Sequence, residues 1–120
     1  RRKSMLFIEY PSCSTCKKAK KYLQDQGYVF TTRHIVEQTP TKDELIEWIT
    51  RSNLPFKKFF NTSGKVYREL KIKEQLDNMA LEEAAMLLSK NGMLIKRPLV
   101  ISDQRVLVGF NEKEYEKLKK

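Results

Sequence analysis

Residues 5–35, MLFIEYPSCSTCKKAKKYLQDQGYVFTTRHI, decide the fold because they contain the patterns of a strand, a helix and a second strand in succession. Met5–Tyr10 is a short apolar run, which is typical of a buried strand. From Ser14 onward the apolar residues recur at helical spacing, and Gly27 is a typical helix stop. Tyr28–Ile35 is rich in aromatic and β-branched residues, which predicts another strand. Two strands joined through a helix in this way are expected to be parallel.

The rest of the chain predicts a helical block followed by a hairpin and a last helix. Residues 40–92 are mostly helical in pattern. Thr41–Glu44 has the form of a capping box, in which a Thr and a Glu side chain satisfy backbone N–H groups at the start of a helix. The pattern becomes strand-like at Leu99–Ile101 and Val106–Val108. Asn111 is placed to cap a closing helix.

This order, βαβ, a helical insert and then ββα, predicts an α/β protein with a four-stranded mixed sheet. It is the thioredoxin-like (glutaredoxin-like) arrangement. We expect a single domain over residues 5–120 with a helical insertion at about 40–92. Met5 resembles a natural start, so we expect residues 1–4 to be a remnant of expression.

The composition is typical of a soluble globular protein. With 40% hydrophobic residues and no apolar run of membrane-spanning length, we expect no membrane association. Two cysteines in all argue against a secreted disulfide scaffold and favour a cytoplasmic location. The net charge is +9, and its excess lies in residues 1–37 and 96–120. This excess is either a solvated lysine surface or a field that favours anions and acidic partners. Because no binding motif is recognisable, we expect no direct nucleic-acid binding.

The two cysteines, Cys13 and Cys16, have C-x-x-C spacing, which is compatible with a metal site, a buried apolar pair or redox chemistry. A structural zinc site takes four Cys or His ligands, and His34 is the only further candidate in the chain, so we expect no metal. We assign His34 no role. A buried, reduced pair remains an alternative, because free cysteine packs like a small hydrophobic residue.

The strand–helix context of this pair favours redox chemistry. Cys13 falls in the turn between the first strand and the first helix, and Cys16 falls in the first helical turn. The N–H groups of Ser14, Thr15 and Cys16, together with the helix dipole, would stabilise an anion at this point and lower the pKa of a cysteine. We therefore predict that Cys13 is the nucleophile and that Cys16 resolves the reaction by closing a disulfide.

Arg97-Pro98 stands at the head of the third predicted strand. Thioredoxin-like folds place a cis-proline at this point, beside the catalytic turn. If Pro98 is that residue, Arg97 lies next to Cys13, where its guanidinium would stabilise the thiolate and bind an anion. The alternative is a surface arginine before a trans-proline.

Three stretches of the chain resemble the ArsC/Spx family, and the resemblance covers about residues 5 to 118. The stretches are YPSCSTCKKAKKYL, FFNTSGKVYREL and LIKRPLVI with VLVGFNEKEYEKL. The family comprises glutaredoxin-linked arsenate reductases, the Spx transcription regulators and uncharacterised relatives. It implies a thioredoxin-like fold with a helical insert. Within it the chain is most similar to the uncharacterised relatives that carry both C-x-x-C and F-N-T-S-G.

Resemblance to the arsenate reductases implies a small reductase in which Cys13 attacks and glutathione with glutaredoxin, or thioredoxin, is the reductant, with no bound cofactor. Their three substrate-binding arginines correspond to Asn61, Arg97 and Gly109, so one of the three is kept, and we expect weak arsenate turnover. Glu9 replaces their histidine, and we expect its charge to disfavour a nearby thiolate. The residues predicted to contact a small oxyanion or disulfide substrate are Ser14, Thr15, Asn61 and Pro98.

Resemblance to the Spx regulators implies a different function. Those proteins share the C-x-x-C pair and the Arg-Pro pair, bind the C-terminal domain of the RNA polymerase α subunit, and respond to disulfide stress through their cysteines. The alternative hypothesis is therefore a redox-sensing transcription regulator with RNA polymerase as its partner.

Overall fold

The computed structural model of the chain describes residues 5–103 and 105–119. Residues 1–4, which the sequence suggests are a remnant, lie outside this range. The described residues form strands and α-helices in the following order: β1 Met5–Glu9, α1 Ser14–Asp25, β2 Thr31–His34, α2 Lys42–Ser52, α3 Lys65–Glu69, α4 Ile72–Gln75, α5 Leu81–Lys90, β3 Leu99–Ser102, β4 Val106–Val108 and α6 Glu112–Glu116. Short 3-10 turns follow several of these elements.

The described residues divide into two compact units. The first contains the residues up to His34 and those from Arg97 onward, and the second is Ile35–Lys96. The predicted helical insertion, about residues 40–92, falls within the second unit. That both units make one domain stays a prediction.

The first unit contains a four-stranded mixed sheet with the order β2-β1-β3-β4. β1 pairs in parallel with β2 and antiparallel with β3, and β3 pairs antiparallel with β4. The predicted α/β class, the mixed sheet and the parallel first pair are confirmed. Since β1 is central, the loop that follows it leaves the sheet between β2 and β3.

One face of this sheet carries the hydrophobic core of the first unit. Phe7, Val100 and Leu107 are aligned across β1, β3 and β4 and are buried. Two helices cover this row: α1 with Ala19 and Leu23, and α6 with Tyr115. The apolar face of α1 therefore holds the helix against the sheet, which fixes where the helix begins relative to the end of β1.

The second strand is shorter than the sequence predicts. Residues 28–30 are not in the strand, although Tyr28 and Phe30 pack against the hydrophobic core. The reason is the way in which α1 ends. Gly27 has a φ of 81°, which glycine adopts readily, and the Tyr28 N–H donates to the Leu23 carbonyl at 3.0 Å. Tyr28 thus closes the helix.

The second unit is mainly helical, as predicted. The capping box at α2 is confirmed, because the Glu44 N–H donates to the Thr41 hydroxyl and the Thr41 N–H donates to the Glu44 carboxylate. Gly92 lies so close to the Ile35 carbonyl that a Cβ there would be 2.2 Å from the oxygen. A side chain at this position would therefore force the backbone apart.

A chain of hydrogen bonds in the first unit anchors the segment before β3. The Gly109 N–H donates to the Pro98 carbonyl at 2.8 Å, and the buried Tyr115 hydroxyl donates to the Gly109 carbonyl at 2.7 Å. Gly109 has a φ of 76°, which favours glycine. Helix α6 thus fixes the position of Pro98 through Gly109.

We expect Tyr115→Phe to lower the free energy of unfolding by about 1–3 kcal/mol, because it leaves the buried Gly109 carbonyl without its donor. Urea unfolding monitored by circular dichroism measures the change. Tyr28→Phe is the matched control, because the buried Tyr28 hydroxyl has no hydrogen-bond partner among the described residues. Equal losses in the two variants would contradict this assignment.

Candidate redox site at Cys13 and Cys16

Cys13 is the N-cap residue of α1, as the sequence predicts. Its backbone is extended, and its sulfur accepts a hydrogen bond from the Cys16 N–H at 3.3 Å. Its own N–H donates to the Tyr10 carbonyl at 2.9 Å, which closes the turn after β1. A sulfur in this position meets the free N–H end of a helix, where negative charge is stabilised.

The thiol of Cys13 has a lowered pKa. Partial burial acts in the opposite direction and raises the pKa. This effect is outweighed by hydrogen bonds from the side chain and backbone of Cys16, and then by the hydrogen-bonding and charge of the Arg97 guanidinium. The net result favours the thiolate, which is the reactive form of cysteine.

Cys16 has the opposite property. The pKa of its thiol is raised to about 12, mainly by burial. The hydrogen bond to Cys13 and the negative charge of Cys13 contribute to this rise, against the lowering effects of the Tyr10 backbone and the Arg97 charge. Both cysteines are free thiols in the structure. One helical turn therefore holds two thiols of opposite character: the pKa of Cys13 is lowered and the pKa of Cys16 is raised.

Arg97 lies beside this pair. The Arg97–Pro98 peptide bond is cis, so the sequence expectation of a cis-proline is confirmed. The Arg97 guanidinium carbon lies 5.1 Å from the centre of the Tyr10 ring, within the range of a cation–π interaction. Its Nε and Nη1 atoms are buried and have no hydrogen-bond partner among the described residues. Buried donors without partners are typical of a site that receives an acceptor.

Glu9 has a charged partner in the structure. Its carboxylate is largely buried, and it accepts a hydrogen bond from the Lys20 ammonium at 3.3 Å. The positive charge of Lys20 therefore lies against the negative charge of Glu9. The effect of Glu9 on the Cys13 thiolate stays a prediction.

The other residues predicted to contact the substrate lie in different parts of the structure. Ser14 and Thr15 are exposed in the first turn of α1, next to Cys13. Pro98 is buried and adjoins Arg97. Asn61 belongs to the second unit, where its N–H donates to the Leu94 carbonyl at 2.7 Å. The roles of these residues in substrate binding stay predictions.

Two residues of the site were missed by sequence reasoning. Tyr10 underlies Arg97, and Lys20 neutralises Glu9. The signal for Tyr10 was an aromatic residue directly before Pro11 in a loop that leads to a cysteine. Lys20 looked like one of four similar lysines on a solvated face, of which Lys17, Lys18 and Lys21 are indeed exposed.

The part of the chain that the structure describes contains no group of three or more His, Cys, Asp or Glu side chains arranged to hold a metal ion. Among the same residues, no helix is both long enough and apolar enough to span a membrane.

We expect iodoacetamide to modify Cys13 and to leave Cys16 unmodified in the folded protein, because the reagent attacks the thiolate. The rate at Cys13 should reach half its maximum below pH 8.5, roughly the ordinary cysteine pKa, since the folded state lowers that pKa. Peptide mapping by mass spectrometry at a series of pH values measures both. In urea, both cysteines should react. Equal labelling of the two thiols in the folded state would contradict the assignment.

Comparisons with known proteins show which proteins this chain resembles. The chain is 50% identical over 113 residues to the uncharacterized protein YusI of Bacillus subtilis, covering 94% of this chain and 96% of YusI. It is 32% identical to the global transcriptional regulator Spx of Streptococcus mutans, covering 91% of this chain and 77% of Spx. A solved structure of an ArsC family related protein from Bacteroides fragilis matches with a TM-score of 0.92 and 54% identity, covering 95% of this chain and 96% of that one. A model of the ArsC family matches residues 8–118, and this chain therefore belongs to the ArsC family.

Proposed function

We propose that this protein is a thiol–disulfide oxidoreductase in which Cys13 attacks the substrate and Cys16 resolves the intermediate. One observation carries the proposal: within a single turn of α1, the pKa of Cys13 is lowered and the pKa of Cys16 is raised. A pair of that kind has a defined order of reaction, because one thiol is ionised while the other is held protonated. The proposal includes a cytoplasmic location, where thiols are kept reduced.

The first step is a thiol–disulfide exchange, in which one S–S bond forms as another breaks. The Cys13 thiolate attacks one sulfur of a substrate disulfide, and a Cys13–substrate bond forms as the substrate S–S bond breaks. The leaving thiolate takes a proton from solvent. Arg97 favours this step by stabilising Cys13 in its anionic form.

The second step uses the Cys16 thiol, which stays protonated during the first step. Once Cys13 is in a neutral mixed disulfide, it no longer raises the pKa of Cys16 through its charge. Cys16 then loses its proton to solvent and attacks the Cys13 sulfur, and the substrate leaves as a second thiolate. The pair has given up two electrons and the substrate has gained them. Two molecules of glutathione, with glutaredoxin, or one dithiol protein such as thioredoxin would restore the pair.

We expect Cys16→Ser to stop the reaction at the mixed disulfide. With Ellman's reagent, the wild-type protein should release both thionitrobenzoate groups and close the Cys13–Cys16 bond. The Cys16→Ser variant should release one group and retain the other on Cys13, as intact-protein mass spectrometry would detect. Cys13→Ser should react far more slowly than either. If Cys13→Ser reacted as fast as the wild type, Cys13 would not be the nucleophile.

Arsenate is the oxyanion that the family resemblance implies, and two residues bear on it. Arg97 is present, whereas Gly109 has a φ of 76° that an arginine would adopt only with strain. Asn61 and Gly109 stand where the arsenate reductases have arginines, so the charged hydrogen bonds of those arginines are missing. At roughly 1.5–3 kcal/mol each, their loss would weaken oxyanion binding by orders of magnitude. We therefore expect slow arsenate turnover with glutathione and glutaredoxin. Rapid turnover that is abolished in Cys13→Ser would make arsenate reduction the function instead.

A second candidate function is redox-sensing transcriptional regulation. It is supported by 32% identity to a protein named global transcriptional regulator Spx. The partner would be the C-terminal domain of the RNA polymerase α subunit, with the cysteine pair acting as the sensor. Disulfide formation does not separate the two functions, because both use it.

A pull-down with the polymerase α C-terminal domain separates them. A regulator should bind that domain with an affinity that changes between the reduced and the oxidised protein. The oxidoreductase hypothesis predicts no binding in either state and turnover with disulfide substrates. Cys13→Ser is the matched control, because it cannot form the intramolecular disulfide.

A further inference from the structure

Tyr10 contacts each of the three residues at the centre of the site. Its carbonyl accepts a hydrogen bond from the Cys13 N–H at 2.9 Å. Its backbone also acts on the Cys16 thiol and lowers the pKa of that thiol. Its ring lies 5.1 Å from the guanidinium carbon of Arg97. The first two contacts use the backbone and suit many residues at this position, whereas the third requires the aromatic ring.

We propose that Tyr10 is a positioning residue, whose ring holds the Arg97 guanidinium beside Cys13. This inference rests on the proposed role of Cys13 as a nucleophile, but it concerns how the positive charge is kept at that sulfur. Tyr10 itself takes no part in bond making.

Arg97 needs such a support because, apart from its interaction with Cys13, it has few polar contacts among the described residues. No carboxylate in the described part of the chain forms an ion pair with it, and its buried Nε and Nη1 atoms lack hydrogen-bond partners there. A free arginine side chain samples many rotamers, and fixing it costs conformational entropy. The Tyr10 ring offsets that cost by a cation–π contact, which is stronger where water is partly excluded.

A ring is also better suited to this task than a carboxylate. A carboxylate would hold Arg97 firmly, but it would compete with the thiolate for the guanidinium and would repel the thiolate. The face of an aromatic ring attracts the cation and carries no net charge. The full charge of Arg97 therefore remains available to Cys13.

Tyr10 is itself well fixed. It follows β1 directly and precedes Pro11, which restricts its backbone to extended conformations. Its ring packs against His34 at the end of β2 in an edge-to-face contact, with 5.8 Å between ring centres and 84° between planes. The end of β1, Pro11 and His34 therefore hold the ring in the place where Arg97 packs on it.

The test compares the pH dependence of Cys13 alkylation by iodoacetamide in wild type, Tyr10→Phe and Tyr10→Leu. Tyr10→Phe keeps the ring face and should leave the midpoint unchanged. Tyr10→Leu should raise the midpoint by about half a pH unit, the size expected for losing an exposed cation–π contact. Tyr28→Leu is the matched control, because Tyr28 packs against the core of the same unit and should leave the midpoint unchanged.

A double-mutant cycle decides whether Tyr10 acts through Arg97. In an Arg97→Met background, Tyr10→Leu should cause no further shift. A shift of the same size with and without Arg97, or a failure of Tyr10→Phe to match the wild type, would overturn the proposal. Should Tyr10→Leu fail to fold by circular dichroism, Tyr10→Met replaces it in the same cycle. Because the readout is ionisation of Cys13, the result stands even if the protein reduces no disulfide.

Discussion

The hydrogen bond from the Cys16 N–H to the Cys13 sulfur is the contact on which the site depends. It makes a cysteine, rather than a serine or aspartate, the cap of α1. The sulfur is thereby placed where the helix has free N–H groups and a positive dipole end. The packing of Ala19 and Leu23 against the sheet holds the helix, and hence this contact, in position.

The charges around this contact are arranged so that the thiolate is favoured. Glu9 is the nearest acidic residue before Cys13 in the chain, and its charge is compensated by Lys20. Arg97 is left without a carboxylate partner in the described residues, and it stacks instead on Tyr10. Lys20 is therefore paired with Glu9, whereas the positive charge of Arg97 remains available to Cys13. The separation of the two thiol pKa values follows from this arrangement together with the burial of Cys16.

The position of Arg97 is set by residues near the end of the chain. The cis bond to Pro98 and the hydrogen bond from Gly109 to the Pro98 carbonyl fix its backbone, and Tyr115 on α6 fixes Gly109. The last helix, although distant in sequence from the cysteines, thus takes part in building the site. Substitutions in residues 109–115 would change the surroundings of Cys13 through this chain of hydrogen bonds.

Much of the fold was predictable because its signals are local. The apolar run of β1, the helical spacing after Ser14 and the capping residues Thr41 and Asn111 each depend on near neighbours in the chain. The second strand was predicted too long, since the Tyr28 N–H bonds to the end of α1, and a strand pattern alone does not reveal that competition. The place of Cys13 at a helix start was also local, and it was predicted correctly.

By itself, then, the sequence determined the βαβ and ββα patterns, the family, and the cysteine that caps the first helix. Only the tertiary structure decided which charges act on that cysteine. The pairing of Glu9 with Lys20 depends on how α1 lies against the end of β1, and the stacking of Arg97 on Tyr10 joins residues far apart in the chain. Electrostatic effects depend on distance in space and on burial, and residue spacing along a sequence fixes neither.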